Sequence, residues 1–315
     1  MTEQLAIGVD VGGTKIGFAL INRAGQVHAE MRAPTPVAAG AQAVIDQIAA
    51  GIQHLLDAAT QPVTGIGIGF PGHIDRAAGV VRQSSNLRWR DDVPLRAEIH
   101  QRLNTDHPIW LGIDANANVL GEWYFGAAQG CQNVIFITIG TGLGGSAIVG
   151  GQLLQGANDY AMEVGHVQLD ANGRQCPCGM RGCPEMYVSG IGFRAGVQEH
   201  LPTYPQSVLA GIDDISPAHI LRAARAKDDL ALAVIHEAQE WLLRTLVFCV
   251  SLFNPELIVI GGGLGLAAAD FFIVGTEAQI VQRTLPMSRH KLRVVASQVN
   301  NSAIGAACLV WHELA

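Results

Sequence analysis

Leu5-Ala-Ile-Gly-Val-Asp10-Val-Gly-Gly-Thr-Lys15-Ile-Gly-Phe-Ala-Leu-Ile21 is the stretch that decides the fold. Its apolar run from Leu5 reads as a buried strand ending on the carboxylate of Asp10. Gly12-Gly13 allows a tight turn, and Lys15 to Ile21 runs back as a second strand. Asn22-Arg-Ala-Gly25 is turn chemistry leading to a third strand around Val27. The same unit returns roughly 130 residues later. Asn133 to Ile139 is a strand, Gly140 to Gly145 a turn and Ser146 to Val149 a strand, after which Gly150-Gly151 turns into Gln152-Leu-Leu154. A repeated strand, glycine turn, strand, turn, strand unit marks a duplicated two-lobed α/β fold, with a ligand expected in a cleft between the lobes.

Between and after these units the pattern alternates. Val44, Ile45, Ile48, Ile52, Leu55 and Leu56 recur at helical spacing. Thr64 to Phe70 reads as a strand closed by Pro71-Gly72, and Pro94 to Leu103 as a helix with Pro94 in its first turn. Pro108 to Ile113 is a strand, and Asp114 opens a helix. In the second half, helices are expected over Pro217 to Ala226, Leu230 to about Leu252 and Ala303 to Leu314. Strands are expected over Leu257 to Ile260 and near Leu292 to Val295. The expected lobes are residues 1–118, joined by the last helix at about 302–315, and residues 119–301.

The 315 residues suggest about two domains. A composition 49% hydrophobic and only 15% charged excludes disorder. The net charge is −7 and there is no Lys/Arg run, so nucleic acid and anionic membranes are poor partners. The opening Met-Thr-Glu-Gln-Leu5 is unlike a signal peptide, and the most apolar region, Leu257 to Val274, is interrupted by glycines and Asp270. The expected location is the cytoplasm. Cys131, Cys249 and Cys308 sit in apolar surroundings and read as small core residues.

The densest set of ligating groups lies in Glu163-Val-Gly-His166 and Cys176-Pro-Cys178-Gly-Met-Arg-Gly-Cys183-Pro-Glu185. Three thiolates (Cys176, Cys178, Cys183) and one imidazole (His166) are what a closed tetrahedral zinc site requires. Such a site has no open position for water, so the metal is expected to shape a loop, with Glu163 and Glu185 placed to grip hydroxyl groups. The alternative is a disulfide or simple clustering; a Cys176–Cys178 bridge would be cramped, and nothing points to an oxidising compartment.

The first glycine turn carries an acid, two glycines, a hydroxyl and an ammonium: Asp10, Gly12, Gly13, Thr14 and Lys15. Exposed N–H groups there can cradle a phosphate while Asp10 faces a hydrated Mg²⁺; an ordinary hairpin is the alternative. Residues 140–145 match GxGxxG, but a strand follows where a dinucleotide-binding fold needs a helix. Gly261-Gly-Gly263 after a buried strand suits the close approach of a base or ribose, or is a plain strand-to-helix turn. Asp114, at a strand end, is a candidate general base and equally a candidate helix N-cap.

Together these motifs resemble the ROK family of sugar kinases and related repressors. The resemblance runs through Asp10 to Lys15, Gly69-Phe-Pro-Gly72, Asn86-Leu-Arg-Trp89, Asp114-Ala-Asn-Ala117, Gly121-Glu122, Gly140-Thr-Gly-Leu-Gly144, Glu163-x-x-His166, CxCGxxGCxE at 176–185 and Asn254-Pro. It implies an actin-like, hexokinase-type (ribonuclease H-like) two-lobed fold and a cytoplasmic, glucokinase-like activity feeding glycolysis. By the same resemblance Asp114 takes the proton from the sugar's 6-hydroxyl. Asp10, Gly12, Gly13, Thr14 and Lys15 hold ATP phosphates with Mg²⁺ near Asp10; Thr141, Gly142 and Gly144 form the second phosphate loop, and Gly262 and Gly263 lie near the adenosine. Gly72, Asn86, Glu163, His166 and Glu185 contact the sugar, and the family tends to form homodimers or homotetramers.

Zinc loss is expected to disorder the sugar site while leaving the nucleotide loops nearly intact. One departure bears on the substrate. The family usually has Asn before the catalytic Asp, and this chain has Ile113. A sugar hydroxyl left unpaired there costs roughly 1–3 kcal/mol, so either another group fills in or the preferred sugar is not glucose. By the resemblance glucose is the leading acceptor, with fructose, mannose, allose or N-acetylmannosamine as alternatives. The family's repressors carry a helix-turn-helix ahead of the first loop. The Asp10 turn begins within ten residues of Met1, so a repressor is not expected, and a non-catalytic sugar sensor is disfavoured by the presence of both Asp10 and Asp114.

Overall fold

The computed structural model describes residues 4–289 and 291–314. The chain divides into two units. One runs to Gly130 and takes in Leu153–Ala161 and the chain from Gln298 onward; the other comprises Cys131–Gln152 and Met162–Ser297.

The first unit holds β1 (Leu5–Val11), β2 (Lys15–Asn22), β3 (Val27–Pro34), α1 (Ala41–Ala58), β4 (Val63–Phe70), β5 (His73–Asp75), β6 (Val80–Gln83), α2 (Leu95–Leu103), β7 (Ile109–Ile113) and α3 (Asp114–Phe125). Its main sheet has the order β3-β2-β1-β4-β7. β2 is antiparallel to both β1 and β3, whereas β4 runs parallel to both β1 and β7. β1 and β2 are buried on both faces, so they read as continuous apolar runs without alternation. On one face Val44, Ile45, Ile48, Ile52 and Leu55 of α1 join the core with Phe18, Ile66 and Ile68. On the other face Ala6, Ala19 and Ile21 pack against Ala303, Ala307, Val310 and Trp311 of the C-terminal helix. That helix lies almost on the sheet backbone: a Cβ at Gly67 would sit 1.9 Å from the Ala306 carbonyl oxygen. Pro94 stands at the N-cap of α2, one residue before the position expected from sequence.

The second unit contains β8 (Val134–Ile139), β9 (Leu143–Val149), β10 (Gln152–Leu153), α4 (Glu185–Val188), α5 (Gly190–His200), α6 (Pro217–Arg225), α7 (Asp229–Phe253), β11 (Leu257–Gly261), α8 (Gly263–Ala267), α9 (Ala269–Phe272), α10 (Thr276–Arg283) and β12 (Arg293–Ala296). The chain then returns to the first unit as α11 (Ser302–Glu313). The sheet order, β10-β9-β8-β11-β12, repeats the first sheet strand for strand. The pairing repeats as well: β8 and β9 are antiparallel, and β11 is parallel to β8 and β12. α7 is capped at both ends, by the Asp228 carboxylate accepting from the Ala231 N–H at 3.0 Å and by Asn254 in the left-handed conformation. No helix among the described residues is long and apolar enough to cross a membrane.

Two expectations shift. The second glycine turn is shorter than its motif, because Ile139 pairs with Leu143 and Thr138 with Gly144, so the ladder closes directly onto residues 140–142. Gly144 is therefore a residue of β9 and not of the turn. A lobe boundary at 118 falls inside α3, and the first unit continues to Gly130. Helix α3 cannot be divided there, since it packs along α11 so closely that a Cβ at Gly121 would come within 3.0 Å of Gly305 Cα. Glu122 on the same helix is fully buried. It accepts from the N–H groups of Ala127, Gln298 and Val299, each at 2.8 Å, which ties the points where the chain leaves and rejoins the first unit.

Candidate active site and metal cluster

In the first unit, three parallel strands deliver their carboxyl ends to one edge of the sheet. β1 brings Asp10, β4 brings Phe70-Pro71-Gly72, and β7 brings Ile113 and Asp114. Open α/β sheets bind ligands at this edge. The turn after β1 is held by the Gly12 N–H donating to the Lys15 carbonyl at 2.9 Å and by the Thr35 hydroxyl donating to the Gly12 carbonyl at 2.7 Å. Asn86 sits at the exposed tip of a turn closed by reciprocal Ser84–Trp89 backbone bonds of 3.1 and 2.9 Å. A Cβ on Gly13 would lie 3.2 Å from the Asn86 carbonyl oxygen, so this tip abuts the first glycine turn. Gly72 has φ +124° and a would-be Cβ only 2.2 Å from the Gln83 carbonyl, and no other residue fits there.

Asp114 is the first residue of α3; the cap position belongs to Ile113. One Asp114 carboxylate oxygen accepts from the Ala115 N–H at 2.7 Å. Ile113 is half-buried at the margin of the first unit's core. Burial, then the nearby charge of Asp114, raises the Asp10 carboxyl from an ordinary 3.8 to about 7, against the pull of Lys15. This sets a pH signature. Between pH ~4 and ~7 the folded chain keeps a proton that the unfolded chain has released, so stability falls as pH rises through that window and levels off above it. The loss amounts to as much as about 4 kcal/mol. Asp10→Asn should remove the slope and raise Tm at pH 8 by several degrees, measured by calorimetry without divalent cations. A variant as pH-sensitive as the parent between pH 5 and 8 would contradict the assignment.

In the second unit, β8 and β11 likewise end together. Gly262 follows β11 with φ +80°, and a Cβ there would lie 2.4 Å from the Ile139 carbonyl oxygen at the end of β8. The turn of residues 140–142, closed by the Gly140 N–H donating to the Gly142 carbonyl at 2.9 Å, stands beside it. Between this turn and α8 opens a cavity of about 430 Å³, lined by Gly140, Thr141, Gly190, Arg194, Pro217, Ala218, Leu221, Gly263, Leu264 and Ala267. Sequence reading found Thr141 and Gly263 but missed Arg194, Pro217, Leu221 and Leu264. Pro217 and Leu221 carry a trace in the sequence, as one face of a Ser-capped amphipathic helix, but nothing local says what that face meets.

His166, Cys176, Cys178 and Cys183 converge, their ligand atoms all within 4.8 Å of one another. Cys178 Sγ and Cys183 Sγ are 3.6 Å apart, and Cys176 Sγ lies 3.7 Å from His166 Nδ1. No cysteine among the described residues is in a disulfide. Tetrahedral metal–sulfur bonds of about 2.3 Å require sulfur–sulfur edges of about 3.8 Å, so the four groups fit one zinc ion. Arg174 holds the loop from behind. It pairs with Glu199 at 2.7 Å and Glu237 at 2.6 Å and lies over the Tyr187 ring, which stacks on Trp241.

The two flanking glutamates stand apart in environment. Partial burial, above all, raises the Glu163 carboxyl; Glu185 adds to the rise and His166 opposes it. Glu185 opens α4, and its Oε2 accepts from the Leu143 N–H at 3.0 Å. The Gly190 and Ile191 N–H groups add bonds to the Gly140 and Thr141 carbonyls at 2.9 and 3.3 Å. The second glycine turn is thereby stitched to the segment that follows Cys183.

Two sheets of one topology, each with a glycine turn at its carboxyl edge, define the actin-like, hexokinase-type two-lobed fold, shared with the ROK hexokinase of Thermus thermophilus (27% identity, TM-score 0.81, 98% of this chain and 99% of that one). The chain belongs to the ROK family, whose model matches residues 6–313. It is 36% identical to a glucokinase of Thermotoga maritima over 100% of its own length and 99% of that protein's. A ROK family glucokinase from Streptomyces griseus, solved in complex with glucose and AMPPNP, is 31% identical with a TM-score of 0.74, covering 97% of this chain and 98% of the other.

Proposed function

We propose that this chain is an ATP-dependent hexose kinase of the glucokinase type, transferring the γ-phosphoryl group to the 6-hydroxyl of glucose. The observation that carries this reading is the placing of Asp114 and the Asp10–Lys15 turn at one sheet edge, since a base and a phosphate cradle are the parts that phosphoryl transfer needs. Asp114 accepts the hydroxyl proton as the sugar oxygen attacks phosphorus in line, and ADP leaves. The backbone of residues 12–14 and 140–142 binds the phosphates, with Lys15 adding positive charge. The 430 Å³ cavity beside Gly263 takes the adenosine. Asp10 would face the Mg²⁺ that accompanies ATP, which would supply positive charge against the phosphates.

Gly72, Asn86, Glu163, His166 and Glu185 hold the sugar. His166, Cys176, Cys178 and Cys183 would hold zinc, which supplies a cross-link and no reacting water. With Nδ1 of His166 turned toward Cys176 Sγ, Nε2 is the nitrogen left for a sugar hydroxyl. The same reading places the protein in the cytoplasm, where thiolate ligands stay reduced.

The deciding assay is ADP release with Mg-ATP over a panel of hexoses and N-acetylhexosamines, using zinc-replete protein. Turnover on glucose supports the proposal; turnover on another sugar alone keeps the kinase and changes the acceptor; silence on all of them, with sugar still bound, overturns it. Ile113 is the specific reason to include other sugars, because it offers no hydrogen bond where the family resemblance implies Asn. Ile113→Asn should raise kcat/KM for glucose about tenfold, the worth of one hydrogen bond of ~1.4 kcal/mol. An unchanged value would mean that another group already makes the contact.

A further inference from the structure

Glycine at position 142 is not there for its backbone: its φ lies outside the left-handed region, so any residue could adopt the conformation. What a side chain would displace is Glu185, whose Oε2 would stand 2.5 Å from the added Cβ and would have to swing away. That same oxygen accepts from the Leu143 N–H at 3.0 Å, so the carboxylate occupies the space left by Gly142 and fixes the end of the second glycine turn. Glu185 also lies two residues after Cys183, and its own carbonyl accepts from the Ser189 hydroxyl at 2.6 Å, which braces the start of α4. One side chain thus touches the nucleotide turn while belonging to the sugar half of the site.

We propose that Glu185 is a positioning residue that couples the two substrates, Oε1 taking a sugar hydroxyl while Oε2 holds the turn that receives the nucleotide phosphates. This rests on the kinase reading above and deepens it. A hydroxyl on Oε1 fixes the rotamer of Glu185 and, through Oε2, the Leu143 N–H. The turn is then ordered before the nucleotide arrives, and the nucleotide finds part of its ordering cost already met. Linkage makes the effect reciprocal: whatever sugar does for nucleotide affinity, nucleotide does for sugar affinity.

The test is a pair of crossed binding measurements by calorimetry on the metal-loaded protein, with glucose and AMPPNP as probes. Glu185→Ala should weaken AMPPNP binding in the absence of sugar about fivefold or more, although the residue belongs to the sugar half. Gly142→Ala should weaken glucose binding in the absence of nucleotide by a similar factor, although the residue lies on the phosphate turn. Glu185→Gln, whose amide oxygen can still accept from Leu143, should restore AMPPNP affinity to within about twofold of the parent. In the parent, saturating glucose should tighten AMPPNP several-fold, and Glu185→Ala should reduce that factor to about one. Unchanged zinc content and circular dichroism in each variant separate positioning from loss of fold. The proposal is overturned if Glu185→Ala weakens glucose alone and leaves AMPPNP affinity at the parent value. If the parent binds AMPPNP but none of the panel hexoses or N-acetylhexosamines, or if it binds neither nucleotide nor sugar, the kinase reading falls and the coupling with it.

Discussion

Asp114→Asn should lower kcat by about 10²–10⁴-fold while glucose still binds within a few-fold of the parent affinity. The substitution is nearly isosteric, and it preserves what Asp114 does for the fold. The bond to the Ala115 N–H needs only an acceptor oxygen, which the asparagine carbonyl supplies, so α3 still starts at the same residue. What disappears is the capacity to accept a proton from the sugar hydroxyl as it attacks. Asp114 also adds to the burial that raises Asp10, so the asparagine variant should let Asp10 ionise at lower pH than the parent does. Steady-state kinetics with calorimetric glucose binding tests the first part. Turnover within tenfold of the parent would remove Asp114 from the role of base.

Cys178→Ser should produce the second large effect, loss of the metal together with at least a tenfold rise in KM for glucose. Cys178 is the informative ligand to change because it is the exposed one. Cys176 and Cys183 are buried, where a serine hydroxyl would disturb packing and confuse the result. With three of the four groups left to hold zinc, the loop from Cys176 to Cys183 would lose the cross-link that the proposed site gives it, and His166 would lose the metal that would fix Nδ1. Because Glu185 lies two residues after Cys183 and is bonded to Leu143, nucleotide affinity should weaken as well, though less than sugar affinity. Elemental analysis after dialysis against a chelator, followed by glucose titration, checks both parts. One zinc per chain retained in the variant would refute the ligand set.

Most of the architecture was legible in the chain because its signals are local. Continuous apolar runs such as Leu5 to Val9 and Leu257 to Ile260 read as doubly covered strands, and the helical period of Val44 to Leu55 read as α1. The four members of the Cys/His cluster were legible from spacing and residue type, and the structure brings their ligand atoms within 4.8 Å of one another. Helix α5 was not: Gly190, Gly192 and Gly196 interrupt its apolar period, and at Gly192 a Cβ would come within 2.5 Å of the Tyr187 backbone nitrogen. The extent of the second glycine turn was misjudged for a related reason. Gly144 and Gly145 look like turn residues, but their pairing with Thr138 and Ile137 makes them strand.

Residue types and spacings were sufficient for the duplicated α/β plan, for the glycine turns, for singling out Asp10 and Asp114 at strand ends and for the membership of the Cys/His cluster, because each signal is carried by short local segments of the chain. Only tertiary structure could raise the Asp10 carboxyl through burial and the charge of Asp114, some hundred residues away along the chain. It alone could line a cavity with Arg194, Pro217 and Leu264 from three separate segments. It also set the Glu185 carboxylate in the space left by Gly142, and with it the link between the cysteine loop and the second glycine turn. These are long-range relations of distance and desolvation, and they come into being only when the sheets and helices pack.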